Sequence, residues 1–376
     1  VASFVQKNQI GLLVVGPEAP LVEGIVDYFK DQDHLNFCKV IGPSQEAAQL
    51  EGSKVFAKEF MAKYQIPTAP FQAFRRDSLY LGFKAIDASK PPYVLKADGL
   101  AAGKGVLILQ NPDDAKRELA IMTNPEKYGA AGKTVLLESF LTGKECSVFA
   151  LCDGENYVLL PTAKDYKRIH EGDQGPNTGG MGAISPWPEE SPDFMQRVTK
   201  EILEPVLKGM QSEGHPYTGF LYIGLMVSAS GDPMVIEFNA RMGDPETQAV
   251  MLRIESDLVP FLEASTRPGG LKDMHLKLSS SASAAVVLAA PGYPGHYPKD
   301  LVIHLSEAKE KNEALLFHAG TRRKDQRLLS SGGRVFAASA KGKNHREALA
   351  KAYSLSQSVA FEGMQYRRDI GYEWQA

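Results

Sequence analysis

Apolar and polar positions alternate along this chain with a period that changes repeatedly, and the changes delimit its elements. Ser3–Gln9 reads as the end of a helix, and Ile10–Val15 is an unbroken apolar run of the kind that forms buried parallel strands. Gly16-Pro-Glu-Ala-Pro20 turns the chain, and Leu21–Lys30 has helical spacing. Lys39–Ile41 is a second strand, and Ser44 stands as N-cap to Gln45–Leu50. This β-loop-α repeat predicts part of a doubly wound sheet, where ligands sit beyond strand C-termini, so Glu18 and Ser44 are candidate contacts. Glu51–Gln65 presents an apolar helical face of Val55, Phe56, Phe60 and Met61. Pro70–Val135 then reads as a compact β-α-β-β-α-β unit: Phe71–Phe74, Ser78–Asp87, a hairpin of Tyr93–Leu95 and Val106–Leu109, Asp113–Met122, and Thr134–Leu141, with a small-residue turn at Gly129–Gly132.

Period-two strands follow at Glu145–Leu151, Tyr157–Leu160, Tyr222–Ser228 and Pro233–Asn239, and helical periods at Pro192–Gly209 and Thr247–Leu262. Arg267-Pro-Gly-Gly270 marks a linker. Beyond it, Ser283–Ala290, His318–Thr321 and Val335–Ser339 predict antiparallel strands and His345–Ser358 a helix. Residues 164–182 interleave charged residues with glycines. A polar, glycine-dense stretch of that length inside a compact unit predicts a functional loop.

Length and composition add limits. A chain of 376 residues is too long for one ordinary core and predicts two or three lobes. The net charge of −3 is interspersed, which argues against a nucleic-acid partner. No apolar run approaches membrane-spanning length, and no secretory signal is visible, so the expected setting is cytoplasmic. Cys38, Cys146 and Cys152 have no metal spacing and fit buried thiols in a reducing compartment. The chain starts without Met and runs almost at once into a strand, which reads as the start of a fragment.

The candidate chemistry begins at Lys96-Ala-Asp-Gly-Leu-Ala-Ala-Gly-Lys-Gly105. Gly99, Gly103 and Gly105 allow backbone amides to converge on an anion, and Lys96 and Lys104 supply charge. The spacing is not that of a Walker A loop, which requires a following Ser or Thr and a helix; here a strand follows. A hairpin tip closing over a polyphosphate fits better. Glu237 and Asn239, two apart on a strand, leave one face and suit Mg²⁺ shared with phosphate oxygens, while Phe238 turns inward. Arg241 follows in a polar turn as a fork for a carboxylate or phosphate.

Several segments together resemble the phosphoribosylamine–glycine ligase family (glycinamide ribonucleotide synthetases) of the ATP-grasp superfamily. They are Val15-Gly-Pro-Glu-Ala-Pro-Leu21, Ala48-Gln-Leu-Glu51, the 96–105 loop, Gly175-Pro-Asn-Thr-Gly-Gly-Met-Gly182, Glu237-Phe-Asn-Ala-Arg-Met-Gly-Asp-Pro-Glu246, His318–Thr321 and Arg368-Asp-Ile-Gly371. The resemblance spans the chain. It implies a multidomain α/β and α+β ATP-grasp fold with a partial doubly wound N-terminal domain (1–50), a central ATP-grasp domain (51–69 and 136–266), a small lid domain (70–135) and a C-terminal antiparallel domain (267–376).

The implied reaction is ATP-dependent ligation of glycine to 5-phosphoribosylamine through a glycyl phosphate, yielding glycinamide ribonucleotide, ADP and phosphate. A catalytically silent ATP-binding fragment and another ATP-grasp carboxylate–amine ligase are the alternatives. By the same resemblance Lys54 and Lys96 contact ATP phosphates beneath the 99–105 loop. Glu138 and the backbone of Ser139, Phe140 and Leu141 hold adenine, and Glu145 takes the ribose. Glu237 and Asn239 bind Mg²⁺ or Mn²⁺. Arg168 and Asn177 lie near the ATP phosphates; Asp165, Arg168 and Arg241 are the candidate catalytic groups; and Glu18, Gly180, Met181, Gly182, Arg241 and Asp244 are candidates at glycine or phosphoribosylamine. Fusion to, or association with, other purine-pathway enzymes is a further expectation.

The family's opening strand and its glycine-rich turn are absent. Lys164-Asp165-Tyr166 stands where the family usually has Gln-Asp-His, Met242 where it has Phe, and Arg253 where it has Pro or Leu.

Overall fold

A computed structural model describes residues 1–100, 105–124, 132–306 and 313–374. The chain opens with a helix (Ala2–Asn8) and a parallel strand pair, Leu12–Val14 with Lys39–Ile41. The apolar run there is only partly covered, because Val14 is 44% exposed. The expected Leu21–Lys30 helix is two short ones, Glu18–Val22 and Ile25–Lys30, divided at Gly24, whose φ of 84° lies in the left-handed region glycine tolerates. Ser44 caps a turn (Ala47 N donates to its Oγ at 3.3 Å), and the helix proper is Gln49–Gly52.

The expected Glu51–Gln65 helix is likewise broken, at Ser53. That residue is extended (φ −136°, ψ 117°), and its Oγ accepts from Phe56 N at 3.1 Å, starting a fresh helix at Lys54–Lys63. A four-stranded antiparallel sheet follows, in spatial order Phe71–Arg75, Thr134–Ser139, Tyr93–Ala97, Val106–Leu109. Helices Leu79–Ala88 and Pro112–Met122 cover one face, packing Ile86, Ala115, Leu119 and Met122 on Leu95, Val135 and Leu137.

The central sheet runs Pro233–Asn239, Thr218–Val227, Lys144–Asp153, Tyr157–Leu159. Period-two alternation divides its two faces. Cys146, Val148, Leu221, Ile223, Leu225, Val235 and Phe238 pack beneath Lys54–Lys63 and the helical Pro192–Ser212 stretch. That stretch carries a π-helical turn at Thr199–Leu203 just before Pro205, whose missing N–H cannot continue the ladder. The other face carries the polar residues described below.

Residues 164–182 are not an irregular loop. Lys164–Asp165 and Gly182–Ser185 are strands, and Arg168–His170 pairs with Gln174–Asn177 as a hairpin. Gly182–Ser185 also pairs with Ala282–Ala289, so the five-stranded sheet runs Ala314–His318, Arg334–Gly342, Ala282–Ala289, Gly182–Ser185, Lys164–Asp165. Helix His345–Ser356 covers it, capped by Asn344, which accepts from Glu347 N at 3.0 Å. The expected Thr247–Leu262 helix also divides, into Glu246–Val250, a 3-10 turn at Met251–Arg253, and Val259–Ala264. Arg253 draws the chain aside by donating to Ser281 O, Ser279 O and Ser185 Oγ. No helix among the described residues is long and apolar enough to cross a membrane.

Candidate active site

The lid sheet delivers its charge at the end of one strand. Lys96 pairs opposite Leu136, and Val94 opposite Glu138, so the lysine lies diagonally across from the carboxylate. Glu138 Oε2 meets Lys96 Nζ at 3.1 Å and Lys58 Nζ at 2.8 Å, with all three side chains under 10% exposed. Its other oxygen, Oε1, is buried and has no hydrogen-bond partner among the described residues. Burial holds the Lys58 ammonium below its ordinary pKa, opposed by Glu138. Beyond Lys96 the loop is tied to the helix that starts at Lys54. Asp98 Oδ1 accepts from Ser53 Oγ and Val55 N, both at 2.8 Å, and Asp98 O accepts from Lys54 N at 3.1 Å. Lys54 Nζ reaches Gly99 O at 3.3 Å, and burial lowers its pKa despite Glu237.

Gly105 closes the hairpin, its carbonyl accepting from Ala97 N; Gly103 and Lys104 lie outside the described residues. Ser139 N–H is bonded to Pro70 O, so it is not available to a base, whereas Phe140 next to it is 41% exposed.

The floor is the polar face of the central sheet. Gly224 pairs with Glu237 on one side and Ser147 on the other, and Tyr222 with Asn239, so these residues share a face. A Cβ on Gly224 would come within 3.3 Å of Glu237 Cγ, so glycine leaves the carboxylate its room. Among the described residues nothing hydrogen-bonds or ion-pairs with Glu237. The Asn239 amide nitrogen donates to Glu51 Oε1 (2.9 Å) and Phe238 O (3.2 Å), which leaves its oxygen for a cation. One free carboxylate beside an amide oxygen is a hard oxygen donor pair fitting a divalent metal that completes its shell with phosphate and water. Among the described residues no group of three or more His, Cys, Asp or Glu side chains forms a metal cage.

Lys167 reaches over this floor, 2.7 Å from Glu145 and 3.7 Å from Asp165. It holds Glu145 below the usual carboxylate range. Burial pushes Asp165 up to about 6, and Glu246 up to about 8 with Asp165 adding repulsion. Glu246 and Tyr222 both meet Ser147 Oγ, at 3.2 and 3.1 Å. Alternation along 164–167 divides the side chains: Asp165 and Lys167 pair with one another near Glu145, while Lys164 and Tyr166 both bond Glu373.

At the N-terminal end, Arg241 bridges Glu18 (3.1 Å) and Glu51 (3.3 Å). Glu51 also accepts from Ala240 N at 2.6 Å, yet burial lifts its pKa to about 7. Asp244 is ion-paired to Arg334 at 2.7 Å, and Arg334 also donates to Gly179 O. Met181 and Gly182 were expected at a substrate, but their backbones are engaged in strand pairing and Met181 packs on Ile169. Gly180 is buried against Pro245 with φ 109°, where any Cβ would lie 2.3 Å from Pro245 Cδ. All three lie packed in one wall of the cleft. Arg168 and Asn177 pair across the hairpin, Arg168 Nη1 donating to Gly175 O at 2.6 Å.

Sequence reasoning assigned no site role to Glu51, Lys58, Asp98, Ser147, Tyr222 or Glu246. Glu51, Asp98 and Glu246 lie inside the quoted motifs, which was the available signal. Lys58, Ser147 and Tyr222 lie outside them; strand register brings in Ser147 and Tyr222, and the packing of the Lys54–Lys63 helix brings in Lys58.

A small sheet carrying a buried lysine, set over a sheet floor with an acid and an amide, is the arrangement of an ATP-grasp enzyme. Three family models match in succession: the phosphoribosylglycinamide synthetase N domain over residues 1–51, its ATP-grasp (A) domain over 52–247, and its C domain over 283–373. The chain belongs to the phosphoribosylglycinamide synthetase family. It is 47% identical over 371 residues to the phosphoribosylamine–glycine ligase of Chlorobaculum tepidum, covering 98% of this chain and 85% of that one. The crystal structure of the Thermotoga maritima phosphoribosylamine–glycine ligase superposes with a TM-score of 0.80 at 41% identity, over 88% of this chain and 81% of the other. A Campylobacter jejuni biotin carboxylase shares the fold at 16% identity and TM-score 0.75, over 99% and 80% of the two chains.

Proposed function

We propose the following division of labour for an ATP-dependent ligase that joins glycine to 5-phosphoribosylamine, forming glycinamide ribonucleotide, ADP and phosphate. Lys96 and Lys54 neutralise the ATP phosphates from the lid side, and Glu138 Oε1, buried and unpartnered among the described residues, accepts from the adenine amino group. Phe140 and Leu141 line the base; Glu145, released from Lys167, takes the ribose. Glu237 and Asn239 hold Mg²⁺ or Mn²⁺, which would screen the phosphate charge during transfer. Arg168 and Asn177 approach the phosphates from the hairpin, and Gly99, Gly103, Lys104 and Gly105 cover them.

Arg241, held by Glu18 and Glu51, orients the glycine carboxylate as it attacks the γ-phosphate; Asp165 and Asp244 serve the amine substrates. With ADP as the leaving group of the first step, the amine then attacks the carbonyl of the glycyl phosphate and expels inorganic phosphate, while closure of the lid keeps water away. The reaction needs no nucleophile from the protein; positioning and charge neutralisation carry it. The division into 1–50, 51–69 with 136–266, 70–135 and 267–376, a cytoplasmic setting and association with other purine-pathway enzymes belong to the same proposal.

The observation that carries this reading is the unpaired Glu237 carboxylate beside the Asn239 oxygen, in electrostatic reach of Lys54. Hydroxylamine trapping tests it. Enzyme, glycine and Mg-ATP should yield glycine hydroxamate together with ADP, and Glu237→Ala should cut the yield by roughly 10²–10³-fold. Product formation by the wild type with no trappable acyl phosphate would contradict the reading.

A further inference from the structure

The hairpin that carries Arg168 and Asn177 is solvent-exposed from His170 to Asn177, and its tip has left-handed residues at Gly172 (φ 66°) and Asp173 (φ 53°). Such a ribbon has little packing of its own to hold it. Its fixed point is the C-terminal segment. Arg367 is fully buried, and its guanidinium donates to Arg168 O at 3.2 Å and Asp173 Oδ1 at 2.6 Å. The fork is closed by a bidentate pair with Asp369, both contacts 2.8 Å. Asp369 Oδ2 in turn accepts from Gly172 N at 2.7 Å, Glu171 accepts from Arg368 N at 3.3 Å, and Tyr372 OH donates to Asp173 Oδ2 at 3.1 Å. Below, the guanidinium lies 5.4 Å from the centre of the buried Tyr166 ring, which Glu373 anchors. Both ends of the turn, and the backbone of Arg168 itself, are therefore referred to one buried cation.

We propose that Arg367 is a positioning residue for phosphoryl transfer, acting through Arg168: the segment from Arg367 to Glu373 sets the height and angle of the hairpin over the phosphates. This rests on the placing of Arg168 near the ATP phosphates. A lysine at 367 could keep the charge but not the planar fork that serves Asp369 and Asp173 together. The glycine-orienting groups Arg241, Glu18 and Glu51 sit on other elements, so the effect is confined to the transfer step.

The test is steady-state kinetics on the full chain with Arg367→Lys, Arg367→Ala and the milder Asp173→Asn, whose side chain is 42% exposed. Limited proteolysis at the 171–175 tip serves as an activity-free readout. Asp173→Asn should lower kcat about 3–10-fold and Arg367→Lys about 30-fold or more, with KM for glycine unchanged and the tip cleaved faster. Added guanidinium should partly restore kcat to Arg367→Ala and not to Arg168→Ala. Faster cleavage in Asp173→Asn with unchanged kcat, or equal losses in kcat and glycine affinity, would overturn the proposal. Unchanged activity in Arg168→Ala would overturn the reading it rests on instead.

Discussion

Glu246 shows how a single buried carboxylate carries a pH signature. It is 3% exposed, bonded to Ser147, and burial pushes its pKa up to about 8, with Asp165 adding to the shift. A carboxylate raised above its unfolded value favours the folded state fully below about pH 4.5, and that contribution is lost as pH climbs to about 8. Glu246→Gln, uncharged throughout, should therefore melt close to wild type at pH 5 and increasingly above it towards pH 9, measured by thermal denaturation of the nucleotide-free protein. A constant difference across that range would contradict this. Sequence alone gave Glu237 and Asn239 a common face, because period two on a strand is a local property. It could not pair Glu246 with Ser147, 99 residues earlier, or seat Lys58 against Glu138, because those contacts depend on how helices pack against strands distant in the chain.

The elements whose patterns are local, such as the lid's β-α-β-β-α-β order, were legible; the breaks inside helices were less so. Ser53 ends one helix and caps the next because Asp98, 45 residues away, takes its hydroxyl and the Val55 N–H. That clamp ties the start of the glycine-rich stretch after Lys96 to the helix bearing Lys54. Asp98→Ala should strand Val55 N–H and cost about 1–2 kcal/mol in chemical denaturation. It should also raise KM for ATP about tenfold, the equivalent of ~1.4 kcal/mol, with KM for glycine little changed. Equal stability with an unchanged KM would show that the clamp is incidental. The 164–182 stretch reads as a loop from sequence because its glycines and charges hide a run of short strands. Gly182–Ser185 is a strand only because Ala282–Ala289 lies beside it.

On the scale of the whole molecule, that pairing decides the architecture. Strands from either side of the Arg267–Gly270 turn share one sheet, and Arg334 and Arg367 reach from the C-terminal part to Asp244 and Asp173. The cleft is thus walled by the lid, the central sheet and the C-terminal sheet, while the N-terminal part supplies Glu18 and Glu51 to Arg241. The central claim is that these walls serve one two-substrate ligation, and ADP release from Mg-ATP tests it most directly, with glycine and freshly made phosphoribosylamine added singly and together. The account predicts sustained release only when both are present, at one ADP per glycinamide ribonucleotide. Sustained release that ignores either substrate, or ATP binding with no release under any combination, would contradict it.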